Sequence, residues 1–338
     1  MVRPGVSVLL PVRDAGPYLG QCIASLERQT LADFEVVAVD DGSRDGSAEV
    51  LDAWAARDPR VRVTHQPPSG LVAALNAGLE RCRAPLVARM DADDISHPRR
   101  LELQARELEE RHSVGVVSCR VRHFRWHEVG EGFRIYEEWL NSLTDADSIA
   151  RERFVESPVA HPSAMVRREL FEAAGGYRDF GGPEDYDLWL RLLEGGTEIR
   201  KIQRYLYFWR EHGDRLTRVD GRYSVENFLR CKARYLLSGP LVGAARVVVW
   251  GAGQTGRRLS KHLLRGGAPI EAFVDIDPGK IGRSLRGRPI IGRSEMPALL
   301  GSGTVVLAAV ASRGARQLIR EQLDALGLIE GSDYWCVA

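Results

Sequence analysis

Through its first ninety residues the chain alternates short, unbroken apolar runs with stretches of helical spacing. Val6 to Pro11, VSVLLP, is a β-branched and leucine run bounded by Pro4 and Gly5 before it and by Asp14 and Gly16 after it, the pattern of a buried parallel strand. Pro17 to Gln29 then sets Leu19, Cys22, Ile23 and Leu26 at helical spacing. Phe34 to Val39 is a second strand, Ala48 to Ala56 a helix capped by Ser47 or Asp45, and Val61 to His65 a third strand. Pro67 to Gly70 is a tight turn, and Leu71 to Glu80 is amphipathic, with Leu71, Ala74, Leu75 and Leu79 on one side. Pro85 to Met90 is another strand. Strand, helix and strand in so few residues imply right-handed crossovers and a mostly parallel sheet, so the fold class is α/β.

Two of these strands end in acids. The run to Met90 stops in Asp91, Ala92, Asp93 and Asp94, before Ser96 and Pro98 open a helix. Crowded carboxylates repel one another, and a divalent cation such as Mg²⁺ or Mn²⁺ turns that repulsion into attraction because hard oxygen ligands suit it. The alternative is a helix N-terminus whose acids favour the macrodipole. The run to Val39 ends in Asp40 and Asp41, at the edge of a parallel sheet where ligands bind. A carboxylate there can accept a uracil or thymine imide N–H or ribose hydroxyls, while Gly42 and Gly46 permit positive φ. The alternative is a turn and helix cap.

Composition narrows the partners. A net charge of +1, with both signs interspersed, leaves no footprint for nucleic acid. The five cysteines lack C-x-x-C or zinc-like spacing, as expected of reduced thiols in a cytoplasmic protein. No window reaches the roughly 18 to 20 apolar residues of a membrane span, which is compatible with peripheral attachment to the inner face of a membrane.

Further along, Gly181 to Leu192, GGPEDYDLWLRL, places Pro183, Glu184 and Asp185 at the start of a helix whose Leu188, Trp189, Leu192 and Leu193 face a core. Those acids are either dipole partners or a general base. Arg222 to Leu237 reads as a connecting helix, broken at Ser238, Gly239 and Pro240. Arg246 to Trp250 is then a strand running into Gly251, Gly253 and Gly256, followed by a helix at Arg257 to Leu264 and a strand at Ile270 to Val274 that ends at Asp275. Strand, G-x-G-x-x-G, helix, strand and acid predict a small Rossmann-like module, with a nucleotide or NAD(P) as its ligand. Pro289 to Ile291 and Thr304 to Ala309 extend that sheet. At 338 residues two domains are expected: 1–215, a helical linker at 216–243, and 244–338.

LLPVRDAGPYLGQCIASLERQT, FEVVAVDDGSRDGS, ARMDADDISHPRRLE, HPSAMVRRELFEAAGGY, GGPEDYDLWLRL and FWREHGDRLT, in that order over about the first 215 residues, resemble the family 2 glycosyltransferases. The resemblance implies a GT-A fold that binds a nucleotide-sugar at a D-x-D metal motif. It places Pro11, Val12, Asp40, Asp41, Gly70 and Ala92 at the donor, with Asp91 near the ribose or metal and Asp93 on the cation. It makes His212 a further metal or diphosphate ligand and sets His161 on the acceptor side. Arg210 could meet a phosphate by its own charge. The resemblance makes Asp185 the general base, with Glu184 adjacent and Asp187 as a further candidate, and implies inversion of the anomeric centre in one displacement. Arg13 and Asp14 depart from the pattern, which has an aromatic residue and Asn there.

The function expected is an inverting, metal-dependent glycosyltransferase moving a sugar, UDP-linked, to a sugar, lipid-linked or other hydroxyl acceptor in bacterial-type glycan synthesis. The sugar, the acceptor and the linkage are expected to depend on loop shape around residues 120–160, where motifs are absent. The alternatives are an inactive nucleotide-sensing protein and an NAD-dependent oxidoreductase acting through the C-terminal part. The first has no need of both Asp93 and Asp185, and the second lacks a Tyr-x-x-x-Lys pair.

Overall fold

The computed structural model describes residues 4–124, 129–213 and 215–338, so residues 125–128 of the stretch expected to shape acceptor binding lie outside it. The chain forms two compact units. The first comprises Met1–Ile149, Pro158–Phe180 and Asp187–Val219, and the second Ala150–Ser157, Gly181–Tyr186 and Asp220–Ala338.

The first unit begins with β1 (Val6–Val12), α1 (Gly16–Glu27), β2 (Phe34–Asp40), α2 (Ser47–Arg57), β3 (Val61–His65), α3 (Leu71–Arg81) and β4 (Leu86–Arg89). It continues through β5 (Ile95–Ser96), α4 (Arg100–Glu110), β6 (Val114–His123), α5 (Glu131–Ser142), α6 (Ala146–Glu152), β7 (Met165–Arg167), α7 (Arg168–Ala174), α8 (Glu184–Glu194), β8 (Glu198–Trp209) and α9 (Leu216–Val219), the end of α6 and the first turn of α8 grouping with the second unit. Its eight-stranded sheet has the order β3-β2-β1-β4-β7-β6-β8-β5, mostly parallel, with β7 and β5 reversed. Every residue of β1 and β2 is buried, as expected of strands covered on both faces. Leu19, Cys22, Ile23 and Leu26 of α1 pack on one face with Val8 and Leu10, while Leu9, Val37, Leu75, Leu188 and Trp189 fill the other.

Local chemistry corrects several expectations. The α2 cap is Gly46, at φ 89°, without a side-chain cap bond. Asp45 instead accepts the N–H of Ser47 and that of Gly16, tying together the starts of α2 and α1. Ser96 opens no helix: it lies in β5 and pairs with Tyr207 of β8, and α4 begins at Arg100. On α3 the buried residues are Val72, Ala74, Leu75 and Gly78, with Leu71 and Leu79 only partly covered. Gly78 is the reason, since a Cβ there would meet Leu9 Cδ1 at 2.2 Å, so the glycine lets the helix lie against β1.

The second unit contains α10 (Val225–Ser238), β9 (Arg246–Trp250), α11 (Gln254–Arg265), β10 (Ile270–Val274), β11 (Ser284–Leu285), β12 (Arg288–Ile291), β13 (Thr304–Ala308), α12 (Ala315–Ala325) and β14 (Tyr334–Cys336). Its sheet has the order β11-β12-β10-β9-β13-β14, parallel except for β11. The helix read as a connector belongs to this unit, where α10 packs on α11. Among the described residues no helix is long and apolar enough to cross a membrane.

Candidate functional site

β1 lies between β2 and β4, so the turns after both acid-ended strands open at the same end of the sheet. Asp41 N–H bonds the Val12 carbonyl and Met90 N–H the Leu9 carbonyl, which carries the pairing past the strand ends. Pro11 and Val12 are the buried end of β1 between the two turns.

After β2, Asp40 is buried and takes the Ser43 N–H at 3.1 Å and the His65 imidazole at 3.0 Å. Burial raises its pKa, but the bonds from Ser43 and His65 outweigh that and hold it below the usual value. Asp41 is equally buried. One of its oxygens accepts Gln66 Nε2 at 2.7 Å and Ser69 N–H at 2.8 Å, and the other accepts Gly70 N–H at 2.9 Å and Arg13 Nη1 at 3.3 Å. Arg13 is the half-exposed partner, so it is the one a ligand could displace. Asp14 sits at φ 49°, a region that Asn and Asp tolerate, and accepts the Arg44 N–H.

After β4, oxygen atoms of Asp91, Asp93 and Asp94 lie within 4.8 Å of one another. Asp91 meets the buried Arg89 at 2.6 Å, and Ala92 is buried between the acids. Asp93 Oδ2 is 2.8 Å from His212 Nε2. Asp94 is fully buried and accepts the Tyr207 hydroxyl at 2.9 Å and the Arg210 N–H at 2.7 Å. Burial first, then the charge of Asp93, push Asp94 well above the usual carboxylate range, and Arg215 opposes them. The His212 ring lies 4.8 Å from that of Tyr18, and its buried Nδ1 has no partner among the described residues. Arg210 donates Nε to the Asp93 carbonyl and Nη2 to Gln21, over the Tyr18 ring. Its guanidinium therefore holds the acidic turn.

His161 is buried, with Nε2 2.7 Å from the Tyr177 hydroxyl. Burial, then the charge of Arg89, holds its pKa well below the ordinary value, so it is neutral. Glu184 and Asp185 open α8 and group with the second unit. Glu184 is buried, and both its oxygens lie 2.9 Å from the Tyr223 hydroxyl, whereas Asp185 is partly exposed. Its carboxyl is enclosed although the residue keeps some exposure, and that enclosure, then the charge of Glu184, pushes Asp185 up to about 8. Asp187 is fully buried and bonded to Arg191 at 2.8 Å.

In the second unit Gly251 has φ 119°, and a Cβ on Gly256 would meet the Gly251 carbonyl at 1.8 Å. Gly253 is the N-cap of α11. Asp275 accepts the N–H groups of Ala252 and Asp277 at 3.0 Å each and pairs with Lys280 at 3.1 Å. An open pocket of about 560 Å³ lies elsewhere in the first unit, lined by residues including Arg120, Arg122, Glu138, Ser142 and Tyr205.

Sequence reasoning missed Tyr207, Arg89, Arg215, Tyr18 and Tyr223. For Tyr207 a signal existed: in YLYFW, Tyr207 and Trp209 share one face of a strand, and both are buried.

The Glycosyl transferase family 2 model matches residues 7–175. The putative glycosyltransferase EpsE of Bacillus subtilis (strain 168) is 30% identical over 236 residues, 66% of this chain and 79% of EpsE. The amylovoran biosynthesis glycosyltransferase AmsE of Erwinia amylovora is 35% identical over 204 residues, 60% of this chain and 74% of AmsE. An Escherichia coli enzyme, UDP-Gal:alpha-D-GlcNAc-diphosphoundecaprenol beta-1,3-galactosyltransferase, is 28% identical over 236 residues, 69% of this chain and 82% of its own. Among solved structures, S. aureus TarS 1–349 in complex with UDP aligns with a TM-score of 0.55 at 17% identity, covering 87% of this chain and 78% of that one, a likeness of fold. The chain thus belongs to glycosyl transferase family 2: it is a glycosyltransferase of GT-A fold with relatives in bacterial polysaccharide synthesis.

Proposed function

We propose that this enzyme transfers a sugar from a UDP-sugar to an acceptor hydroxyl, with inversion and with a divalent cation, in the synthesis of a bacterial-type glycan. The observation that carries the reading is the cluster of Asp91, Asp93 and Asp94 at the end of β4. Its donors are carboxylate oxygens with one adjacent imidazole, a set that fits Mg²⁺ or Mn²⁺. Asp93, Asp91 and His212 would hold the ion. When bound, it supplies Lewis-acid neutralisation of the charge on the departing nucleoside diphosphate.

The protein's own groups perform the remaining steps. Pro11, Val12, Asp40, Asp41 and Gly70 form the donor-side wall, and displacement of Arg13 would free a lone pair on the Asp41 oxygen that also accepts the Gly70 N–H. Asp185 takes the proton of the attacking hydroxyl; its partial exposure supports that role, since Glu184 is already engaged by Tyr223. One base and no nucleophile suffice for a single inverting displacement. A UDP donor is supported by the name of the E. coli relative and by the UDP complex of TarS. Acceptor contacts are assigned to the stretch around α5, beside the open pocket. For the second unit the reading is a Rossmann-like framework, supported by strand order and the Gly251–Gly256 turn. NAD(P) has less support there, because Asp275 already has three partners.

A thermal-shift screen of nucleotide sugars with and without Mn²⁺ tests the proposal. A ligand at a hundred times its Kd stabilises by about 2.7 kcal/mol. Stabilisation by a UDP-sugar that needs the metal supports the reading, and stabilisation indifferent to the metal overturns it.

A further inference from the structure

Glu184 and Asp185 are neighbours in sequence but differ in surroundings. Three segments of the second unit build the start of α8 around them. From residues 150–157, the Arg153 carbonyl accepts the Tyr186 hydroxyl at 2.7 Å, and Glu156 adds negative charge near Asp185. From residues 220–224, the Tyr223 hydroxyl spans both oxygens of Glu184, and Arg222 Nη1 stands 4.0 Å from Oε2. From α10, Phe228 packs against Tyr186 at 5.6 Å, and Lys232 donates Nζ to the Val155 carbonyl at 3.1 Å. Asp185 receives backbone N–H groups of its own turn.

We infer that Tyr223 is a positioning residue for transfer: its hydroxyl, shared across both oxygens of Glu184, keeps Glu184 as the ionised anchor of the pair and leaves the exchangeable proton to Asp185. The inference rests on the reading of Asp185 as base. A hydrogen bond donated to a carboxylate favours its anion, and a second carboxylate beside that anion ionises later. Arg222 pulls in the same direction at Glu184, while Glu156 works against ionisation of Asp185. Tyr223 remains a donor throughout, because burial, then the charge of Glu184, push its own pKa well above the ordinary phenol value. The arrangement makes Asp185 a stronger base than a solvated carboxylate, nearer the working pH. No residue of this device lies within the matched span 7–175 except those at 150–157.

The test is Tyr223→Phe in the full chain, with aspartate and glutamate carboxyl carbons labelled for NMR and assigned by Asp185→Asn and Glu184→Gln. In the wild type Glu184 should titrate below Asp185. In Tyr223→Phe the order should close or invert, and the Asp185 midpoint should fall by about one pH unit or more, the size of a lost charge-stabilising bond. The acid limb of kcat should fall with it while KM for the donor stays put. Adding Tyr223→Phe to Glu184→Gln should move the Asp185 midpoint no further. An unmoved midpoint in Tyr223→Phe, an additional shift in the double variant, or Asp185 ionising before Glu184 in the wild type would each overturn the inference. The last of these is decided even where the variant fails to fold. Transfer that survives in Asp185→Asn would instead sink the base reading, while the NMR titration still judges Tyr223.

Discussion

At the carboxyl end of β4 three carboxylates crowd together, and at the carboxyl end of β10 one carboxylate, Asp275, is held by two backbone N–H groups and the ammonium of Lys280. Both turns follow buried strands of largely parallel sheets, so topology alone nominates both. Their electrostatics point in opposite directions. Burial and Asp93 raise Asp94, whereas at Asp275 burial is outweighed by the Asp277 N–H, Lys280 and the Ala252 N–H, and the carboxylate is held below its usual value. A raised acid in a cluster gains from an additional positive charge; a lowered one is already matched. The comparison teaches that the partners around an acid, more than its place after a strand, decide whether its charge is already matched.

The largest effect that could break this contrast is on turnover. Asp93→Ala should lower kcat/KM by on the order of 10²–10³, the range for losing a group that stabilises transition-state charge, and should abolish metal-stimulated donor binding. Asp275→Ala should leave transfer and donor KM at wild-type values in the fraction that is folded. Equal losses in the two variants, measured in one sugar-transfer assay with Mn²⁺ titrated, would erase the distinction.

A smaller effect concerns stability against pH, with opposite signs at the two turns. Asp275 has a depressed folded pKa, so its contribution is present above the unfolded value, near 3.9, and is lost as pH falls through the folded value. Asp275→Asn should therefore cost about 1–3 kcal/mol at pH 7, a cost that shrinks as pH falls below the unfolded value. Asp94 has a raised folded pKa, so its contribution is complete below the unfolded value and is lost as pH rises through the folded one. In metal-free protein Asp94→Asn should accordingly gain on the wild type towards pH 8 to 9. Denaturant melts at pH 3, 7 and 9 would show the two differences moving in opposite directions; parallel slopes would refute the assignment.

Much of the first unit was legible because a strand buried on both faces writes itself as an apolar run: Val6 to Pro11, Phe34 to Val39 and Pro85 to Met90 are strands within a residue or two. The acids were legible for the same reason, since they interrupt those runs. What stayed hidden depends on contacts between distant segments. Nothing local in residues 150–157 or 181–186 announces that they join the second unit, and the Tyr207 hydroxyl reaches Asp94 across 113 positions of sequence. Asp45 looked like a cap for α2 and is also a partner of Gly16 at the start of α1, a bond that no periodicity encodes. Tyr223 looked like part of the connecting helix, but it precedes α10 in a turn and turns its hydroxyl to Glu184.

The smallest effect sharpens the comparison most cleanly. Lys280 pairs with Asp275 at 3.1 Å and with Asp277 at 3.7 Å, yet its side chain is 38% exposed. Solvent and salt therefore screen the pair, and Lys280→Ala should cost about 0.2–1 kcal/mol, the range for exposed ion pairs. Asp275 keeps the Ala252 and Asp277 N–H groups in that variant, so the turn should hold its shape. The loss should shrink as salt shortens the screening length to about 3 Å at 1 M. A cost of several kcal/mol that persists in high salt would mean that the ammonium, not the backbone, completes the turn at β10. The turn at β10 would then owe its shape to a cation supplied by the chain itself.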